Sequence, residues 1–162
     1  MYIISACLAG ENCKYNGGNN YNESVCQFTK KHNCIMICPE MEGGLPAPRP
    51  PAEQIRSEDQ CAVCASDQMR EGDRTVRVVN KEGRDVTEEF YRGAKISLAR
   101  AEERAHELGE PIEGAILRAN SPTCGSGTIY DGTFSGVLTE GDGIFAGMLK
   151  EKGIHVETRT KD

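Results

Sequence analysis

The sequence predicts an α/β fold: a single domain with an open, mainly parallel sheet and flanking helices, a Rossmann-like sandwich. Three observations carry this. Short runs rich in Ile, Val and Leu recur without polar alternation, as strands covered on both faces do. Segments with helical apolar spacing stand between them. A parallel strand pair needs a crossover of about a dozen residues or more, and these intervals supply it. The 162 residues are expected to form one domain, 1–162, long enough to bury roughly two-thirds of the surface its unfolded chain exposes.

The elements follow in chain order. "MYIISACL" (1–8) reads as a buried strand, and "CKYNGGNNYN" (13–22) as a turn-rich loop. "ESVCQFTKKH" (23–32) suits a short helix with a basic end, capped by Asn22 or Ser24. "CIMICPE" (34–40) is a second buried strand, stopped by Pro39. Four prolines between 46 and 51 then forbid helix and central strand, so "GGLPAPRPPAE" is an extended, fairly rigid loop. Residues 56–74 are polar and irregular, and "TVRVVN" (75–80) is a strand suited to an edge. "DVTEEFYRGAKISLARAEERAHEL" (85–108) is the clearest helix. Asp85 or Thr87 caps it, its first turn is acidic, and Phe90, Ala94, Leu98, Ala101, Ala105 and Leu108 keep helical spacing up to Gly109. "EGAILRA" is another strand, "GIFAGMLKEKG" a helix ended by Gly153, and "IHVET" a last strand.

Net charge is −6 and no Lys/Arg run reaches four residues, which speaks against a nucleic-acid polymer as partner. No window offers the roughly 18 apolar residues of a membrane span. "ISAC" is a faint lipoprotein-like match, but only six residues precede Cys7, with no basic start. The expected location is the cytoplasm.

Eight cysteines stand at 7, 13, 26, 34, 38, 61, 64 and 124. In a reducing compartment such a number points to metal or thiol chemistry, with others buried as small hydrophobes. Three of them stand at or near the ends of predicted strands: Cys7 closes "IISAC", Cys38 closes "CIMIC", and Cys124 follows "AILRANSPT". In an open parallel sheet the chemistry gathers outside the carboxyl ends of the strands, so these three thiols are expected to converge. Three thiolates with an open position fit a catalytic zinc or an iron–sulfur cluster with one unligated iron. Buried thiols with one reactive cysteine remain the alternative, because gaps of 31 and 86 residues match no compact ligand motif. "CAVC" (Cys61, Cys64) fits half a zinc site or a redox dithiol, but no second CxxC completes it. Cys34 faces the same side as Cys38 but lies about 13 Å along the strand, and reads as core.

Other groups stand close in sequence to the three thiols. Glu40 in "CPE" suits a general acid/base, or is a solvated loop carboxylate. Ser121 in "SPTC" aims a hydroxyl at the same place, or is an ordinary turn serine. Gly125 in "CGSG" suits a nest of backbone N–H donors for cluster sulfides or an anionic substrate, though not a P-loop. Arg49, stiffened by flanking prolines, reaches back over the site or is solvated. His32, His106 and His155 fall outside these segments, which disfavours a Cys–His nucleophile pair.

"ISACLAGENCKYNGG", "CPEMEGGLPAPRPPAE", "GRDVTEEFYRGA" and "AILRANSPTCGSGTIYDGTFSG", in this order over nearly the whole chain, resemble the small thiouracil desulfidase family in its stand-alone form. The resemblance implies a [4Fe-4S] cluster held by three cysteines, its fourth iron taking the sulfur of a thiolated base. By motif the ligands are Cys7, Cys38 and Cys124, the catalytic carboxylate is Glu40 and the serine is Ser121. The implied reaction converts 2-thiouracil to uracil and sulfide without net redox change. Two features depart from the pattern: "SPTCG" stands for "SPSCG", and "CAVC" has no counterpart. Cys13 lies in a matched motif without an inherited ligand role. The alternatives are a non-catalytic cluster or sulfur-trafficking protein and a zinc-thiolate protein.

Overall fold

A computed structural model describes residues 1–55 and 76–162. Cys61, Cys64 and the expected strand start at Thr75 lie outside the described residues. Four parallel strands form the main sheet in the order β2-β1-β5-β8: β1 Tyr2–Ser5, β2 Cys34–Ile37, β5 Gly114–Arg118 and β8 Val156–Arg159. Two antiparallel pairs flank it, β3 Ala52–Ile55 with β4 Arg77–Asn80 and β6 Thr128–Tyr130 with β7 Leu138–Glu140. The helices are α1 Glu23–Thr29, α2 Pro39–Glu42, α3 Thr87–Leu108 and α4 Ile144–Glu151. The expected α/β class is the observed one.

The topology places the helices. From β1 the chain moves one way to β2, then crosses back past β1 to β5 and on to β8. Right-handed crossovers in opposite directions put their helices on opposite faces. Accordingly Ile4 and Ile116 pack with Val25 and Phe28 of α1, whereas Ile3, Ile37 and Leu117 pack with Phe90 and Leu98 of α3 and Phe145 and Leu149 of α4. Adjacent strand residues serve opposite cores, so these strands read as continuous apolar runs. Cys34 packs partly buried in the α1-side cluster, as expected of a core residue.

Several boundaries differ from the sequence reading. β1 ends at Ser5, and Cys7 sits in a 3-10 turn, Ala6–Ala9, closed by Gly10 at φ 97. Pro39 ends the strand but begins α2, because its fixed φ and missing N–H suit a first helical position. Asn22, not Ser24, caps α1, accepting the N–H of Val25. Neither Asp85 nor Thr87 occupies the N-cap of α3, which is Val86. Asp85 Oδ1 still accepts the Thr87 N–H at 2.9 Å. The proline loop ends earlier than expected, with Ala52 and Glu53 already in β3. β6 and β7, three residues each, are strands additional to those the sequence predicts.

Close backbone contacts fix the loops at the sheet's carboxyl edge. A Cβ on Gly93 would lie 1.8 Å from Pro39 O, and one on Gly43 would lie 2.0 Å from Glu89 O. Only paired glycines let α2 press against α3 at this distance. Likewise a Cβ on Gly143 would meet the Thr123 carbonyl carbon at 2.3 Å, so α4 begins directly against the loop after β5. No described helix is long and apolar enough to cross a membrane.

Candidate functional site

β1 lies between β2 and β5, and the chain leaves β1 and β5 toward opposite faces, which opens a crevice at the carboxyl edge. A cleft of about 380 Å³ occupies it. Cys7 after β1, Cys38 after β2 and Cys124 after β5 all line it, together with Glu40, Ser121 and Arg49. The expected convergence of the three strand-end thiols is therefore what the fold produces. None of the three histidines lines the cleft, and neither do Cys26 and Cys34.

Each thiol is held by its own partners. Asn20, 3% exposed, donates from Nδ2 to Cys7 Sγ at 3.4 Å, and its backbone N–H donates to Cys7 O. Ser5 Oγ donates to Cys124 Sγ at 3.5 Å while accepting the Arg118 N–H at 3.0 Å. Cys13 supplies a fourth thiol in the same cleft. Hydrogen bonding from Cys13, then from Asn20, and the charge of Arg118 lower the Cys7 pKa to about 7 against the effect of burial. Hydrogen bonding from Cys13 also lowers Cys38, with help from the Met41 N–H and Arg49. Shared between the Cys38 and Cys7 sulfurs and buried, the Cys13 thiol is pushed far up. Burial likewise pushes Cys124 up, Ser5 opposing in part.

Glu40 is fully oriented. Arg49 donates to its Oε2 from Nε at 2.9 Å and from Nη2 at 2.6 Å, and Thr123 Oγ1 donates to Oε1 at 3.0 Å. Arg49 also bonds the carbonyls of Pro46 and Cys13. Its side chain is 6% exposed and that of Glu40 17%, so neither is the solvated group that the sequence left open. Ser121 Oγ accepts the N–H groups of Cys124 at 2.8 Å and Thr123 at 3.2 Å. That fixes the loop and leaves the hydroxyl proton without a protein acceptor among the described residues.

Gly125 corrects the expected backbone nest. Its N–H donates to Ser121 O at 2.9 Å, and the Gly127 N–H donates to Asp142 Oδ1. A Cβ on Gly125 would lie 2.8 Å from the carbonyls of both Ser121 and Thr128, so this glycine shapes the loop beneath Cys124. Sequence reasoning missed Asn20, Thr123, Arg118 and Glu53. Thr123 stands in the "SPTC" motif but meets Glu40 across 83 positions, and no local pattern marks the other three.

The donor set fits an iron–sulfur cluster. Three soft thiols from three loops face one cleft. Arg118 Nη1 is buried without a hydrogen-bond partner, beside the Cys7 sulfur whose pKa the guanidinium lowers. It is an available donor and counter-charge for thiolate and sulfide.

Comparison with known proteins agrees with this geometry. The model of a family described as 2-thiouracil desulfurase matches residues 2–161. The uncharacterized protein YbbK of Bacillus subtilis (strain 168) is 38% identical over 156 residues, spanning 96% of this chain and 93% of its own. A solved structure of the [4Fe-4S]-dependent thiouracil desulfidase TudS superposes with a TM-score of 0.74 at 35% identity, over 98% of this chain and 89% of that one.

Proposed function

The chain belongs to the 2-thiouracil desulfurase family, and from that premise we propose that it is a [4Fe-4S]-dependent, non-redox desulfidase of the cytoplasm. Its substrate is a thiolated pyrimidine such as 2-thiouracil, and its products are uracil and sulfide. Residues 1–162 act as one domain, with Cys7, Cys38 and Cys124 holding a cluster whose fourth iron has no protein ligand. The observation that carries this reading is the meeting of those three thiols with Glu40 and Ser121 in one cleft at the switch point of the sheet.

When bound, the cluster supplies a Lewis-acidic iron with affinity for sulfur. The chain's own residues supply the rest. The bond broken is C–S, the bond formed is C–O from water, and the two water hydrogens leave on sulfide, so no electrons are transferred. Glu40 is placed to move these protons: Arg49 and Thr123 fix its orientation, and a carboxylate has lone pairs left after those bonds. Ser121 has a free proton to hold the base or the water. Asn20 and Ser5 hold Cys7 and Cys124 in place.

Anaerobic purification and reconstitution tests the reading. The expected product is a brown protein with iron and acid-labile sulfide in equal amounts, releasing sulfide from 2-thiouracil. Cys7→Ala, Cys38→Ala and Cys124→Ala should each lose the cluster, and Cys26→Ala should keep it. Glu40→Gln should keep the cluster and lose turnover. A full cluster in Cys124→Ala or a colourless zinc-loaded protein would refute the ligand assignment. Undiminished turnover in Glu40→Gln would remove the acid/base role.

A further inference from the structure

The loop between β6 and β7 carries a residue that the conformation of its turn does not favour. Phe134 has φ 56, a left-handed backbone that bulky side chains rarely adopt. Gly132 and Gly136 on either side also have positive φ, so glycine or asparagine at 134 would turn the chain without strain. Instead a phenyl side chain stands there, half-buried in the cleft wall. Backbone strain held against the chain's preference is a pointer to function where it shapes a site.

The loop is anchored from beneath. Glu53 of β3 is 8% exposed, and its Oε1 accepts the N–H groups of Gly132 at 2.9 Å and Phe134 at 3.2 Å. A Cβ on Gly132 would meet Gln54 O at 2.7 Å, so the loop lies flat on β3. A nearly buried carboxylate given to two loop amides is a large commitment of polar desolvation. The other aromatic residues of the wall lack such an arrangement. Tyr15 has the Lys14 ammonium 5.3 Å from its ring centroid, and Tyr130 sits in β6 with ordinary negative φ.

We infer that Phe134 is the stacking platform for the planar ring of the substrate, and that Glu53 is the positioning residue that holds it there. The inference rests on the reading that the substrate is a thiolated base, and names the residue that selects a ring over other C–S compounds. Alanine substitution of a stacked aromatic weakens base binding roughly 5- to 150-fold, and an effect of that size is expected here.

The test uses the full chain, reconstituted anaerobically, with three probes: 2-thiouracil turnover, thiourea turnover, and calorimetric binding of uracil, which lacks the sulfur. Phe134→Ala should weaken uracil binding and raise the KM for 2-thiouracil by that factor, with a smaller loss for thiourea. Phe134→Leu, which keeps apolar bulk without a π face, should resemble Phe134→Ala, and Phe134→Tyr should resemble the parent. Glu53→Ala should reproduce the Phe134→Ala loss, and Glu53→Gln, which keeps the acceptor oxygen, should restore ring binding. Uracil binding unaffected in Phe134→Ala, absent in the parent, or lost in parallel with thiourea turnover would overturn the inference. Uracil binding that depends on Phe134 in a protein that releases no sulfide would sink the desulfidase reading while leaving the platform standing.

Discussion

Arg49→Ala removes two bonds to Glu40 and two to the carbonyls of Pro46 and Cys13 at once. The side chains of Arg49 and Glu40 are 6% and 17% exposed, so solvent screens their attraction little. Removing one partner of a buried pair costs about 3–5 kcal/mol, mostly because the other charge is left uncompensated. Thr123 still serves Glu40 Oε1, and water reaches the exposed fraction of the carboxylate. The expected loss is therefore at the lower end, about 3 kcal/mol. For a chain of 162 residues, each kcal/mol lowers Tm by about 2–4 °C, so a fall of about 6–12 °C is expected. Thermal unfolding followed by circular dichroism at neutral pH reads it. Glu40→Gln on the Arg49→Ala background should recover part of the loss, since the orphaned charge is gone and the cycle is non-additive. A Tm within about 2 °C of the parent, or strict additivity of the two substitutions, would show that the pair is not the closed, desolvated contact described.

Two further outcomes follow from the same geometry. Thr123→Val keeps the shape of a residue only 1% exposed but removes the donor to Glu40 Oε1. A hydrogen bond to a charged group is worth about 1.5–3 kcal/mol, so kcat for sulfide release should fall roughly 10- to 150-fold. Thr123→Ser should restore it, and an unchanged kcat in the valine variant would refute the orienting role. Gly93→Ala and Gly147→Ala form a contrasting pair inside helices. In α4, a Cβ on Gly147 meets only Asp142 Cβ at 3.8 Å, and the alanine should stabilise by about 0.5–1 kcal/mol. In α3, the Gly93 contact with Pro39 O forces α2 outward, so alanine should cost about 1–3 kcal/mol and reduce cluster incorporation, because Cys38 and Glu40 ride on α2. Equal melting behaviour of the two variants would contradict the close packing of α2 on α3.

The sequence went far toward this site because strand ends are legible. Apolar runs mark β1, β2 and β5, the helical spacing of Phe90 to Leu108 marks α3, and a thiol follows each of the three strands. In a parallel sheet such ends share one edge, so Cys7, Cys38 and Cys124 could be brought together on paper. What stayed hidden has physical reasons. β6 and β7 are too short for a period-2 signal. Pro39 gives the same sequence signal whether it ends a strand or opens a helix. The Gly-rich sequence around Gly125 suits a backbone donor, but the fold commits its N–H to Ser121 O.

By itself, then, the sequence determined the class of fold and the set of chemically soft side chains, since both depend on local periodicity and residue type. Only the tertiary structure decided how those side chains are held. Glu40 meets Thr123 across 83 positions and Gly132 meets Glu53 across 79. Cys13 comes to Cys7 and Cys38 because its loop folds back through Asn20. Such contacts depend on strand order and crossover direction, which no short stretch of sequence encodes, and on glycine-permitted approaches between segments far apart in the chain.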